Sequence, residues 1–416
     1  MAIDQNEFLE LLESADNFTL RRAVERLRSG LFDPFAVRLL TAHEARLNQA
    51  FDQGVQTLEE GASSHLCLCG SYGQGKSHSL AYLAQRALDQ GFAVSQINLD
   101  PREIPFHDFR QVYRALVSQI RFPGSDDVSL VKWWQKWVEA QRKESVNDDN
   151  EPLAVIPESM PHFFKSVLTA LVQENMTLPP RWKGMKKYAT YRPREFSWLL
   201  AKALNGSPLP INRLRHALRY RQVSFYKDAS LVCRGWQPYC EAVCGLAAMF
   251  RNMGLKGWVL LFDEGESIAQ RSIIQRRKSY EILHRFFSPS SSHPGLYPIF
   301  AFTDDFFLQV RAEDYDRITV RDEQEIPYFA LNYGEAWRQL RLHRLHNLSE
   351  PEWIDLSGRL VFLHARAYGW KPPTDGIKQQ MAAMVAAGSQ EVRLKIKALV
   401  NQLDLQQQLS WDTQDV

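Results

Sequence analysis

Residues 67–83 read CLCGSYGQGKSHSLAYL, a short apolar run followed by a glycine-rich turn. His65 to Cys69 have the makings of a short buried strand. Ser77 to Ala87 then keep Leu80, Leu83, Ala84 and Ala87 on one helical face, so the glycines fall at a strand-to-helix turn. From Gly70 to Ser77 the turn matches GxxxxGK[ST] in full. Gly70, Gly73 and Gly75 let the backbone fold its amide groups around phosphate oxygens, where side chains would obstruct. Lys76 supplies a point charge for the β- and γ-phosphates and Ser77 a hydroxyl for Mg²⁺, while the helix N-terminus adds partial positive charge. With Ser71, Tyr72, Gln74 and His78, the stretch forms a candidate ATP-binding loop.

Such a loop binds; hydrolysis requires a second strand. KGWVLLFDEGESI, residues 256–268, carries an apolar run from Trp258 to Phe262 that ends in Asp263 and Glu264. In that arrangement Asp263 holds Mg²⁺ through its water shell and Glu264 polarises the attacking water. Glu266 reads as a structural or supporting group. A third strand, YPIFAFTDDFF, is expected over Tyr297 to Phe307 and contains Thr303, Asp304 and Asp305. Placed between the other two strands, it would bring the Thr303 hydroxyl near the γ-phosphate to orient water; an ordinary strand-end threonine fits the residues equally well.

The chain of 416 residues, 45% hydrophobic and 12% aromatic, is long enough for two or three packed domains. No run approaches 18 uninterrupted apolar residues, and the acidic start MAIDQNEFLELLESADNF is unlike a signal peptide, so a cytoplasmic protein without membrane contact is expected. Cys67, Cys69, Cys233, Cys240 and Cys244 are odd in number and suit reduced thiols; their spacing lacks a zinc pattern. Net charge is +2 but uneven. Arg181 to Gly235 hold 13 Lys or Arg against Glu195 and Asp228, a local +11 that leaves −9 on the remainder.

The first sixty residues read as helices, LRRAVERLRSG and AHEARLNQAFDQGVQTLEEG among them. A strand over Phe92 to Asp100 and a helix over Phe109 to Ile120 follow, and this alternation implies a parallel sheet with helices on both faces. Ser77 and Asp263 stand 186 positions apart, far more than the roughly 30 residues of one βαβ unit, so an insertion is expected from Phe122 to about Trp236. It includes the polar linker ESVNDDNEP, which resembles a mobile loop, and ends in the basic stretches RWKGMKKYATYRPREFSWLLAKAL and INRLRHALRYRQVSFYK. There Trp182, Tyr188, Tyr191, Tyr220 and Tyr226 interleave with cations, which suits phosphate contacts and base stacking. Lys183, Lys186, Lys187, Arg192 and Arg194 are the candidate DNA contacts. Amphipathic helices with aromatics in the core and cations facing water or an acidic subunit explain the same residues. Past Arg321 three more helices are expected.

Together the loop, the acid-tipped strand, the polar-tipped strand and the helical tail resemble an AAA+ ATPase. Within that class, AVERLRSGLFDPFAVRLLTAHEARLNQAF, GLKGWVLLFDEGESI and SQEVRLKIKALVNQLDL resemble the ATP-binding proteins of bacterial BREX phage-defence systems, the BrxD-like family, over most of the chain except roughly 125–230. The resemblance implies an α/β fold: a P-loop core with a parallel sheet flanked by helices, a large mainly helical insertion and a C-terminal helical lid. The implied domains are 1–124 (N-terminal helices and first half of the core), 125–235 (basic insertion), 236–330 (second half of the core) and 331–416 (lid). It further implies ATP and Mg²⁺ as cofactors, an entry segment beside the adenine, and Arg393 as a sensor at the γ-phosphate; an exposed helix-start arginine is the plainer reading of that residue. A self-oligomer dependent on ATP is implied too, completed by a neighbour's arginine for which Arg271, Arg276, Arg277 and Arg317 are candidates. The implied function is ATP hydrolysis coupled to assembly or remodelling of a defence complex on DNA, reached directly or through partners. A slow nucleotide-gated switch, or a loader or signalling ATPase outside phage defence, would use the same residues.

Overall fold

The computed structural model describes residues 5–31, 33–42, 44–125, 129–144, 151–173, 193–224, 231–288, 294–319, 329–338, 340–372, 381, 383 and 391–412. Strands β1 (Leu66–Cys69), β2 (Ala93–Asn98), β3 (Trp258–Asp263), β4 (Leu296–Phe302) and β5 (Leu342–Arg344) form one parallel sheet in the order β2-β3-β4-β1-β5. The central strands β1 and β4 are buried throughout, and β3 is buried up to Asp263. Continuous apolar runs are what a parallel sheet covered on both faces demands.

Helices α1 (Gln5–Ser14), α2 (Asn17–Arg28), α3 (Pro34–Leu40) and α4 (Glu44–Glu59) precede the sheet, and α5 (Lys76–Asp89) connects β1 to β2. Between β2 and β3 run α6 (Phe109–Ser118), α7 (Leu130–Glu144), α8 (His162–Val172), α9 (Pro193–Leu204), α10 (Ile211–Tyr220) and α11 (Gln237–Asn252). Helix α12 (Ile273–Phe287) leads into β4, and α13 (Phe306–Thr319) and α14 (Tyr333–Ala336) separate β4 from β5. After β5 come α15 (Glu350–Tyr368) and α16 (Val392–Asp412).

Alternation along each strand divides the core. Val259 and Leu261 pack with Phe51 of α4 and Leu80 and Leu83 of α5 on one face. Trp258, Leu260 and Phe262 face α6, α11 and α12 on the other, and that cluster runs without a break into α7–α10 through Trp134, Phe164, Leu200 and Leu218. The described helices of the insertion therefore share the core of the sheet. Each large apolar side chain withdrawn from water contributes about 1.5–3 kcal/mol before the entropy of ordering is set against it. Two buried polar side chains on β3 and β2 satisfy each other: Trp258 Nε1 donates to Ser95 Oγ (3.1 Å), which donates to the Leu116 carbonyl (2.8 Å).

A third cluster joins the two ends of the chain. Leu20 and Val24 of α2 and Leu39 of α3 pack against Trp353 and Leu360 of α15 and Leu399 and Leu403 of α16.

The structure corrects some of the expected elements. The strand expected to reach Phe307 ends at Phe302, because Phe306 N donates back to the Thr303 carbonyl (3.2 Å) and opens α13. Strand β5, in a region read as helical, is a short edge strand beside β1. Linker residues 145–150 and nearly all of the helix expected at 375–388 lie outside the described residues. Among the described residues no helix is long and apolar enough to cross a membrane.

Candidate functional site

Strand β1 delivers the glycine turn to the C-terminal edge of the sheet, and α5 begins at Lys76 directly after it. Gly73 (φ +81°) and Gly75 (φ +89°) occupy the left-handed region that side chains disfavour. A Cβ at Gly73 would also lie 2.8 Å from the Glu391 side chain. The turn is braced internally: Gln74 Oε1 accepts from Ser71 N (2.7 Å), and Gln74 Nε2 donates to Asn347 Oδ1 (3.1 Å) beyond β5.

The Lys76 side chain is buried, with 8% of its surface exposed, and its ammonium donates to the carbonyls of Gly70 (2.9 Å) and Ser71 (3.1 Å). Both acceptors are neutral. A buried cation satisfied only by carbonyls leaves its charge unbalanced, which makes the turn, with the N-terminus of α5 behind it, a cradle for an anion.

Opposite, β3 carries Asp263 and Glu264 to the same edge. Asp263 Oδ1 accepts from Glu264 N (2.9 Å), and Glu264 has left-handed backbone angles (φ +55°, ψ +42°). Holding a non-glycine residue there costs on the order of 1 kcal/mol or more. Gly265 sets the position, since a Cβ on it would lie 2.5 Å from the Phe302 ring of β4. The next turn presents Glu266, whose Oε2 is buried without a hydrogen-bond partner among the described residues. Burial, aided by the charges of Asp263 and Glu264, holds this carboxyl above the usual carboxylate range against the pull of its own backbone amide and of Lys76.

These groups line one cavity of about 450 Å³, a size suited to a small-molecule ligand. Tyr72 to His78, Asp263, Glu264 and Arg393 all contribute to its wall. Arg393, at the start of α16, packs its Cγ and Cδ over Gly30, 3.4 Å from where a Cβ would stand. His78 turns toward α3. Thr41 Oγ1 donates to the Val37 carbonyl (2.6 Å), so it accepts from His78 Nε2 (2.8 Å), and burial lowers the imidazole to about 4. His78 thus ties α5 to the end of α3 through Thr41 while also lining the cavity.

Other sequence candidates stand differently. Strand β4 does lie between β1 and β3, but Thr303 at its end is not part of the cavity wall. Its neighbour Asp304 reaches the turn instead, accepting from Ser71 Oγ at 3.4 Å and facing Arg344 at 3.6 Å. Gly70 and Ser71 also lie outside the wall. Arg276 is ion-paired with Glu313 (2.9 Å), Arg277 is exposed beside Glu281 (3.4 Å), Arg271 is half-buried, and the Arg317 side chain is outside the described residues. Lys183, Lys186, Lys187 and Arg192 also lie outside them, as does the side chain of Arg194 on α9.

An apolar compartment of the cavity carries no motif. Leu27 of α2, Ala36, Val37 and Leu40 of α3, Leu356 of α15 and Ile396 of α16 form it. Its apolar walls suit the base of a nucleotide.

The family model described as BREX system ATP-binding protein BrxC/D matches residues 19–176 and 237–413. The match thus continues past residue 125 into the insertion, further than the resemblance in the sequence indicated, and omits 177–236. No curated protein and no solved structure matched the chain.

Proposed function

Because the chain belongs to the BREX system ATP-binding protein BrxC/D family, we propose that it is an AAA+ ATPase that hydrolyses ATP in this cavity. The observation that carries the reading is the buried Lys76 ammonium on two neutral carbonyls, in a cavity whose far wall is Asp263 and Glu264. In this reading the amides of Gly73 to Ser77 and the Lys76 ammonium bind the phosphates, and the apolar compartment takes the base. Ser77 and Asp263 would hold Mg²⁺, which would supply positive charge beside the phosphates. Glu264 orients and polarises the attacking water. Arg393 senses the γ-phosphate from α16, and Thr303, just past the end of β4 and outside the cavity wall, is the candidate hydroxyl for orienting water.

Helices α2, α3, α15 and α16 wall the base compartment from one shared core, so they close over the nucleotide as a lid and reopen after hydrolysis. That cycle drives assembly or remodelling of the defence complex on DNA. A neighbouring subunit's arginine completes the site, for which Arg271 and the more exposed Arg277 are the candidates, since Arg276 is held against Glu313 in a less exposed position. Phosphate release with ATP, measured with and without Mg²⁺ and DNA, tests the reading. Metal-dependent turnover is expected; ATP binding with no phosphate release would leave a nucleotide-gated switch.

A further inference from the structure

We propose that helices α9 and α10 form a contact surface for single-stranded nucleic acid, built on Trp198, Lys202, Arg213, Arg215 and Arg219. The inference rests on the DNA part of the reading above and is independent of the ATP chemistry.

Helix α9 buries Phe196, Leu199, Leu200, Ala203 and Leu204, so its inner face is complete without Trp198. That tryptophan remains 57% exposed, with the Lys202 ammonium 4.0 Å from its ring centroid. An indole left in water is unusual, because it forgoes a large burial energy. Helix α10 likewise buries Leu214, Ala217 and Leu218 and exposes Arg213, Arg215 and Arg219. The helices meet where the Phe196 and Tyr220 rings lie 4.9 Å apart and Arg221 Nη2 donates to Ser197 Oγ (2.7 Å). Trp198 and Arg219 are the next residues along.

Charge separates this surface from an ordinary solvated face. The sequence holds no acidic residue between Glu195 and Asp228. Several arginines elsewhere have carboxylate partners, as in Arg22 with Asp33 (2.9 Å), Arg86 with Asp52 (2.6 Å) and Arg276 with Glu313 (2.9 Å), whereas this stretch offers no carboxylate of its own. Even Arg221 is tied into the fold through the Gln173 carbonyl (2.7 Å). Arg213, Arg215 and Arg219 have neither an ion pair nor a hydrogen bond among the described residues. Unmatched guanidinium groups bind phosphate oxygens, and an exposed indole stacks on a base, which duplex DNA keeps stacked inside. Both helices also lie within 177–236, outside the region the family model matches.

The test uses the full chain and a fluorescent 30-nucleotide single strand, with binding measured across a salt series. Replacing Arg213, Arg215 and Arg219 together by Ala should flatten the plot of log affinity against log salt by about 2 units, at about 0.7 per lost contact. Trp198→Ala should weaken binding by roughly 5- to 100-fold and leave that slope unchanged. ATP affinity in each variant, equal to that of the parent, shows that the fold is intact. A chain that binds no ATP but still binds the strand through these residues would overturn the nucleotide reading and keep this one. The proposal is overturned if the triple variant retains affinity and slope, if Trp198→Ala stays within twofold of the parent, or if the surface binds an acidic polypeptide and no nucleic acid.

Discussion

Arg28 on α2 holds Asp404 on α16 through two hydrogen bonds, Nε to Oδ2 at 2.9 Å and Nη2 to Oδ1 at 2.7 Å. The buried His364 of α15 meets the same carboxylate at 2.9 Å. Trp370 Nε1 donates to His364 Nδ1 (2.9 Å), which leaves the proton on Nε2 to be given to Asp404. One carboxylate thus ties together three helices that wall the base compartment.

Asp404→Ala should therefore act at a distance. It leaves Arg28 and His364 without their shared acceptor, at a cost of about 1–3 kcal/mol in stability. Because α2, α15 and α16 all face the cavity, ATP affinity should fall by roughly tenfold, equivalent to about 1.4 kcal/mol. Urea unfolding and ATP titration measure the two effects, and an affinity unchanged despite lost stability would show that the helices do not act as one lid.

His78 gives the stability a pH dependence. Its imidazole titrates at about 4 in the folded chain, against 6.5 ordinarily, because burial disfavours the charged form. Between those values the unfolded chain binds the proton and the folded chain does not. The contribution is complete above about pH 6.5 and is lost as pH falls toward 4, amounting to roughly 2–4 kcal/mol. His65, also lowered to about 4 by burial, adds a loss in the same window. Unfolding free energies at pH 7.5 and 5 should differ less for His78→Gln than for the parent; an equal difference would contradict the buried neutral assignment.

A shared catalytic site predicts concentration dependence. Turnover per subunit should rise with protein concentration until assembly saturates, and Arg277→Ala or Arg271→Ala should lower the plateau without changing ATP affinity. Sedimentation with ATP should show an oligomer in parallel. Turnover independent of concentration in a strict monomer would exclude a neighbour's arginine from the site.

Local structure was legible in the sequence; long-range packing was not. The turn from Gly70 to Ser77 and strands β1, β3 and β4 show themselves because unbroken apolar runs and obligatory glycines leave a local trace, although the sequence carried β4 on to Phe307, past its end at Phe302. Strand β5 left none. It has three residues, lies at the sheet edge and buries none of them fully, so neither a run nor an alternation marks it. The apolar compartment was hidden for another reason. Leu27, Val37, Leu356 and Ile396 are ordinary helix-face residues, and only the packing of the chain ends on each other brings them to one cavity. His78 reads as part of a phosphate motif, yet its partner Thr41 lies 37 positions earlier and turns it toward α3.

The most direct test separates binding from chemistry at two residues of the cavity wall. Lys76→Ala removes the buried ammonium and should abolish ATP binding, while Glu264→Gln should keep ATP affinity near that of the parent and lower phosphate release by at least about a hundredfold. Calorimetric titration of ATP into both variants, alongside phosphate release, gives the comparison. Equal loss of nucleotide affinity in the two, or Glu264→Gln turning over ATP at the parent rate, would contradict the roles assigned to Lys76 and Glu264.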